Sequence, residues 1–159
     1  MRAALLIAIL MTSSATAEPI QWTTSARGGS TIDIPKFMTE SWVRGLINSG
    51  EEEPYGTVYQ PEDHPIMLRQ YYMESTKRPY QYILGNADGI KTIEKVDKPN
   101  IGIVSGYTSK GEDIFYGMCV KSDKLYCFDV FYSAKERAKY DPIVKRIAKS
   151  FRKCTDPCL

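Results

Sequence analysis

Four cysteines, one histidine and a run of three glutamates are the side chains here whose chemistry a function could use. The cysteines are Cys119, Cys127, Cys154 and Cys158. Zinc sites favour C-x-x-C-like pairs, or cysteine with histidine at short spacing, and the chain has neither. A thioredoxin-like C-x-x-C is missing as well. In an oxidising compartment an even number of cysteines reads instead as disulfides. His64 lies in "QPEDHPI", between two prolines and after two acids. A histidine beside carboxylates can act as a general base, but this composition reads first as a surface turn. Glu51, Glu52 and Glu53 offer oxygens to a calcium ion; consecutive acids point apart, so a solvated loop is the simpler reading. The serines form no G-x-S-x-G elbow, and the glycines form neither a G-x-G-x-x-G nor a G-x-x-x-x-G-K-[ST] run. These residues assign no catalytic set, no cofactor and no metal site.

Whether the cysteines can pair depends on the compartment. Arg2 makes a short positive start, Ala3 to Met11 an apolar run, and Ala15-Thr16-Ala17 an A-x-A cleavage signal. The run is too short for a hydrocarbon core that needs about 20 residues; a buried N-terminal helix is the competing reading. The expected organisation is a signal peptide over 1–17, one domain over 18–153, and a cysteine-containing tail over 154–159. Removing 17 of 159 residues leaves 142, enough for one domain with a sizeable core. Glu18 becomes the first residue, so no cysteine is placed for lipid anchoring. No later stretch is long and apolar enough to span a membrane. The formal charge of +2 falls to about +1 without Arg2, too balanced to suggest nucleic acid.

Strand geometry supports a staple. Asp113 to Val120 and Leu125 to Tyr132 are rich in β-branched and aromatic residues. A three-residue loop, Ser122 to Lys124, sets Val120 opposite Tyr126 and Cys119 opposite Cys127. Opposed residues in a non-hydrogen-bonded pair have Cα atoms about 4.5 Å apart, within disulfide range. A two-residue loop would send the two sulfurs to opposite faces. The weak point is Lys124, because the last residue of such a loop often takes positive φ. Ile114, Tyr116, Met118, Val120, Tyr126, Phe128, Val130 and Tyr132 then share an apolar core face. Phe115, Gly117, Cys119, Cys127, Asp129 and Phe131 share a mixed face, expected to lie away from the main core. Cys154 would pair with Cys158; the rival pairing ties Cys119 to Cys154 or Cys158.

Further strands are expected at Ser30 to Ile34, Tyr55 to Tyr59, Ile66 to Met73, Ile90 to Val96 and Ile101 to Tyr107. A short helix is expected from Pro79, with Gly85 near its end. At the C-terminus, Ser133 and Glu136 have capping-box spacing, and Asp141-Pro142 suggests a second cap with proline at N1. Ile143, Val144, Ile147, Ala148 and Phe151 make an apolar helical stripe that needs a sheet to lie on. Lys145, Arg146, Lys149, Arg152 and Lys153 take the other faces. The fold class is α+β: an antiparallel sheet packed with helices, its C-terminal amphipathic helix on the sheet.

"GEDIFYGMC" followed by "YCFDVFYSAKERAKYDPIVKRIAKSFR" resembles the closing strands and helix of small exported proteins of rhizobia-like alphaproteobacteria. It is also similar to the final hairpin and helix of the Mog1/PsbP-like α-β-α sandwich. The likeness implies binding and accessory modules more than enzymes, and it carries no site motif across.

Charge is uneven along the chain. Glu40, Glu51, Glu52, Glu53, Glu62 and Asp63 stand against Arg44 alone, whereas the C-terminal segment is basic. Lys145, Arg146, Lys149, Arg152 and Lys153 could face an anionic protein or membrane surface, or serve only as a solvated helix surface. Tyr71, Tyr72, Tyr80 and Tyr82 crowd the middle; tyrosine is enriched at binding surfaces, and core packing is its other employment. Two functional classes stay open: a periplasmic or secreted non-enzymatic binding or accessory protein, and a small extracytoplasmic hydrolase with an unrecognised active site. The exported protein is expected to begin at Glu18. N-terminal sequencing checks this, and a retained Met1 would contradict it.

Overall fold

The computed structural model describes residues 19–39, 43–44, 55–87 and 89–154. The expected signal peptide, the Glu51–Glu53 run and the tail beyond Cys154 lie outside the described residues. At the centre is the cysteine hairpin, β8 (Asp113–Lys121) and β9 (Leu125–Ser133). Its register is the expected one: Cys119 faces Cys127 and Val120 faces Tyr126 across the loop Ser122–Lys124. The disulfide joins Cys119 to Cys127, with Cα atoms 4.2 Å apart. Among the described residues no non-glycine residue has positive φ, so Lys124 closes the loop without strain. The Ser122 amide donates to the Lys124 carbonyl at 2.9 Å.

The remaining strands are β1 (Trp22–Arg27), β2 (Ser30–Pro35), β3 (Val43–Arg44), β4 (Tyr55–Tyr59), β5 (Ile66–Met73), β6 (Lys91–Lys98), β7 (Ile101–Tyr107) and β10 (Arg152–Lys153). The helices are α1 (Lys36–Thr39), α2 (Pro79–Asn86) and α3 (Arg137–Ser150). One antiparallel sheet runs β3-β4-β5-β9-β8-β7-β6, and a smaller one runs β1-β2-β10. Local hairpin connections explain the antiparallel pairing of β4 with β5 and of β6 through β9. The fold is α+β, with α3 packed on both sheets.

The even-numbered residues of β9, Tyr126, Phe128, Val130 and Tyr132, join the first core as expected, with Ile32 and Ile34 of β2 and Ile143, Val144 and Ile147 of α3. The other face lies away from this first core as expected, but it is a core in its own right rather than a mixed surface. Phe115, Cys119, Leu125 and Cys127 pack with Tyr71, Met73, Ile83 and Val104 in a second core. α2 packs over β7 and β8 on this face, so the disulfide lies apart from the first core and inside the second. Gly102 permits the close approach, since a Cβ there would lie 2.6 Å from the Pro79 carbonyl carbon and 2.7 Å from the Tyr80 Cα.

β1 was not expected from the sequence. It forms a hairpin with β2 through Gly28 and Gly29, at φ 52° and 65°, the two-residue geometry that selects glycine. Gln70 of β5 ties this small sheet to the large one. Its side-chain amide donates to the carbonyls of Arg27 at 3.0 Å and Ser30 at 2.9 Å. Its oxygen accepts from the Ser25 hydroxyl at 2.8 Å, and Ser25 meets the Tyr59 hydroxyl at 2.6 Å. A fully buried amide is tolerable because its hydrogen-bonding groups are engaged.

The C-terminal helix differs at both ends. Ser133 accepts from the Lys135 amide and caps a short 3-10 turn, Ala134–Glu136, rather than forming a capping box with Glu136. α3 starts at Arg137 and runs through Pro142. The missing proline donor concerns the exposed side of the helix, where Ala138 and Pro142 both lie. Asp141, instead of capping, accepts from the Tyr132 hydroxyl at 2.6 Å and Arg137 Nε at 2.9 Å. α3 stops at Ser150, Phe151 turns extended, and Arg152 and Lys153 pair with β2 as strand. Phe151 still closes the apolar stripe: it is 3% exposed and meets Phe128 edge-on at 5.1 Å. Phe151→Ala should cost about 3 kcal/mol. An unchanged urea midpoint would show that the Phe128 contact does not hold α3 down.

Candidate functional site

Between the β6–β7–β8 wing and α3 opens a groove of about 390 Å³. β-strand alternation sets its floor: Ser105 and Tyr107 from β7, Ile114 and Tyr116 from β8, and Tyr132 from β9. Helical periodicity sets its wall. Arg137, Asp141, Lys145 and Lys149 recur every fourth residue, with Val144 and Ala148 beside them. The far lip is Ile93 and Glu94 on the edge strand β6. The β6–β7 register shifts between Thr92 and Glu94, which leaves Ile93 unpaired and 64% exposed. Bulges of this kind re-aim side chains at sheet edges.

The polar groups differ in how far they are satisfied. Arg137 donates to Asp141 and, at 3.3 Å, to the Tyr107 hydroxyl. Tyr132 donates to Asp141. The Asp141 contact holds the Arg137 guanidinium above its ordinary pKa. Burial and the Asp141 hydrogen bond push Tyr132 well up. This end of the groove is closed on itself. Lys145 and Lys149 make no ion pair among the described residues. Burial, and then the Glu94 carboxylate, push the Tyr116 hydroxyl up to about 12. The groove can hold a molecule with an apolar body and present two ammonium groups and a phenol to its polar end.

The basic residues expected to form one face are divided. Lys145 and Lys149 reach the groove. Arg146 lies over the Trp22 ring at 4.1 Å and 4.0 Å from Asp33. Arg152 donates to the Phe151 carbonyl at 2.6 Å. Lys153 pairs with Asp123 at 2.6 Å, and this hydrogen bond holds the Asp123 carboxyl down at about 2. The last two stand on β10 rather than on the helix.

His64 stacks on Phe37 at 4.2 Å, with Nδ1 3.4 Å from the Tyr140 hydroxyl. No carboxylate hydrogen-bonds to it among the described residues. No group of three or more metal-ligating side chains occurs among the described residues. Cys154 carries no free thiol; its expected partner, Cys158, lies outside the described residues. Tyr71 and Tyr82 are core residues. Tyr71 donates at 3.1 Å to Asp129, which Arg69 clamps through both carboxylate oxygens at 2.5 and 2.7 Å. Burial pushes the Asp129 carboxyl up while Arg69 pulls against it.

Sequence reasoning missed Ile93, Glu94, Ser105 and Tyr107 as site residues. The signal was present in part: Tyr107, Tyr116 and Tyr132 share one face once the hairpin register is extended to β7. No protein-family model matches the chain, and comparison with curated proteins finds no significant match.

The Tyr116 shift has a pH consequence. With its folded pKa raised above an unfolded value near 10, the unfolded chain releases this proton first, so stability falls as pH rises from about 10 to about 12. Tyr116→Phe should remove part of that alkaline loss. An identical alkaline stability profile in the variant would contradict it.

Proposed function

We propose that this chain is an exported, non-enzymatic binding or accessory protein of the periplasm or cell exterior, with the groove beside α3 as its ligand site. One observation carries the reading. An aromatic-floored concavity, of a size usual for small-molecule sites, has two lysines on its wall that make no ion pair among the described residues. The N-terminal signal pattern supports export. The Cys119–Cys127 disulfide is compatible with an oxidising compartment, and no helix among the described residues is long and apolar enough to cross a membrane. A helix on each side of the seven-stranded sheet supports the likeness to Mog1/PsbP-like sandwiches; the extra three-stranded sheet is a departure from the expected single sheet. The basic groove wall favours an anionic partner.

Native mass spectrometry of the exported protein tests the reading. Wild type should carry a non-covalent small-molecule adduct that denaturation releases. Ala148→Trp, which fills the groove, should fold and carry none. An adduct retained by the filled variant, or turnover of generic ester, phosphate or peptide substrates, would contradict it.

A further inference from the structure

We propose that the groove takes an amphipathic monoanion, its acid head on Lys145 and Lys149 and its alkyl body across Ile114, Val144 and Ala148 under the lip of Ile93. This rests on the groove being the ligand site and names the chemistry it selects.

The head position follows from which charges are spare. Along the helix wall Arg137 and Asp141 neutralise each other, and Tyr107 and Tyr132 complete their hydrogen bonds. One and two turns later, Lys145 and Lys149 present ammonium groups on the same helix face with no ion pair among the described residues. On the strand wall Glu94 stands near enough to the Tyr116 hydroxyl to raise its pKa. Negative charge is therefore disfavoured across the groove and favoured at the lysines. A single anionic group meets that pattern; a polyanion spanning the groove meets Glu94.

The body position follows from the apolar surface. Ile114 and Val144 are buried and Ala148 half-buried, and all three line the groove. Ile93 is the most exposed of the large hydrophobic side chains described. The β-bulge that presents it also breaks the edge ladder at that point. An alkyl chain in the groove would cover Ile93, which otherwise stays in water at a cost. The groove volume, about 390 Å³, suits a small molecule rather than a helix or a membrane patch.

The test uses the oxidised mature protein and three decyl probes below their micelle concentrations: decanoate, decanol and decyltrimethylammonium. Binding is measured by calorimetry and located by amide shifts in nuclear magnetic resonance. Decanoate should bind about tenfold tighter than decanol, as two ion pairs to exposed lysines allow, with shifts at Ser105, Val144 and Ala148. High salt should shrink the preference. Lys145→Gln with Lys149→Gln should bring decanoate to the level of decanol and leave decanol unchanged; Ile93→Ser should weaken both. Equal affinity of the three probes in the groove would overturn the anion class while the site reading stands. Failure of all three to bind also overturns the proposal, and the site reading then depends on the adduct of the exported protein. Uptake by phosphatidylglycerol vesicles without a response to decanoate would assign the lysines to a membrane surface and overturn it as well.

Discussion

The fold depends on one strand being buried on both faces. Leu125 to Val130 of β9 are all buried, so side chains pointing both ways need cover. The even positions are covered by α3 and the small sheet, the odd positions by a second core in which Tyr71, Met73 and Phe115 of the neighbouring strands meet Tyr82 and Ile83 of α2. A strand with one wet face would have needed only one helix. Six consecutive buried residues need both layers, and together with β5 and β8 they place β9 in the middle of the seven-stranded sheet. The disulfide and the Arg69–Asp129 clamp both sit on the α2 side of this strand. There they turn what would be polar or reactive groups into satisfied parts of a core.

On the α3 side, coverage runs out toward the β6 edge. β6 is exposed along nearly its whole length, and α3 passes the β7–β8 floor without closing on it. The groove is the space left between a helix anchored at β9 and a sheet that continues beyond it. Its chemistry is inherited from that geometry. The strand side supplies tyrosines from a core-type pattern that stays half-wet, and the helix side supplies the lysines of an otherwise solvated face. The same helix thus anchors the core with Tyr140, Ile143 and Ile147 and presents Lys145 and Lys149 to the groove.

The hairpin register was legible in the sequence because loop length and alternating side chains decide it together; Cys119 opposite Cys127 follows from that alone. The strands at Tyr55–Tyr59, Ile66–Met73 and Ile101–Tyr107 were legible for the same reason. What escaped was non-local. The odd face of β9 looks mixed because Asp129 interrupts it, and only Arg69 and Tyr71, far away in sequence, make that acid a core residue. Asp141-Pro142 has the local signature of a helix start, but the hydrogen bonds from Tyr132 and Arg137 employ the aspartate otherwise and the helix begins a turn earlier. β1 is polar and carries little alternation, so only Gly28-Gly29 marked its hairpin. The groove joins three strands to a helix, and no local pattern encodes that meeting.

Residue-resolved hydrogen exchange on the oxidised protein tests most directly whether a doubly covered β9 leaves the β6 wing open beside α3. The slowest amides should lie in β9 and in its neighbours β5 and β8, and among the strands of the large sheet the fastest in β6. Amides of β6 as slow as those of β9 would mean that the wing is covered, and that the groove is not an open site.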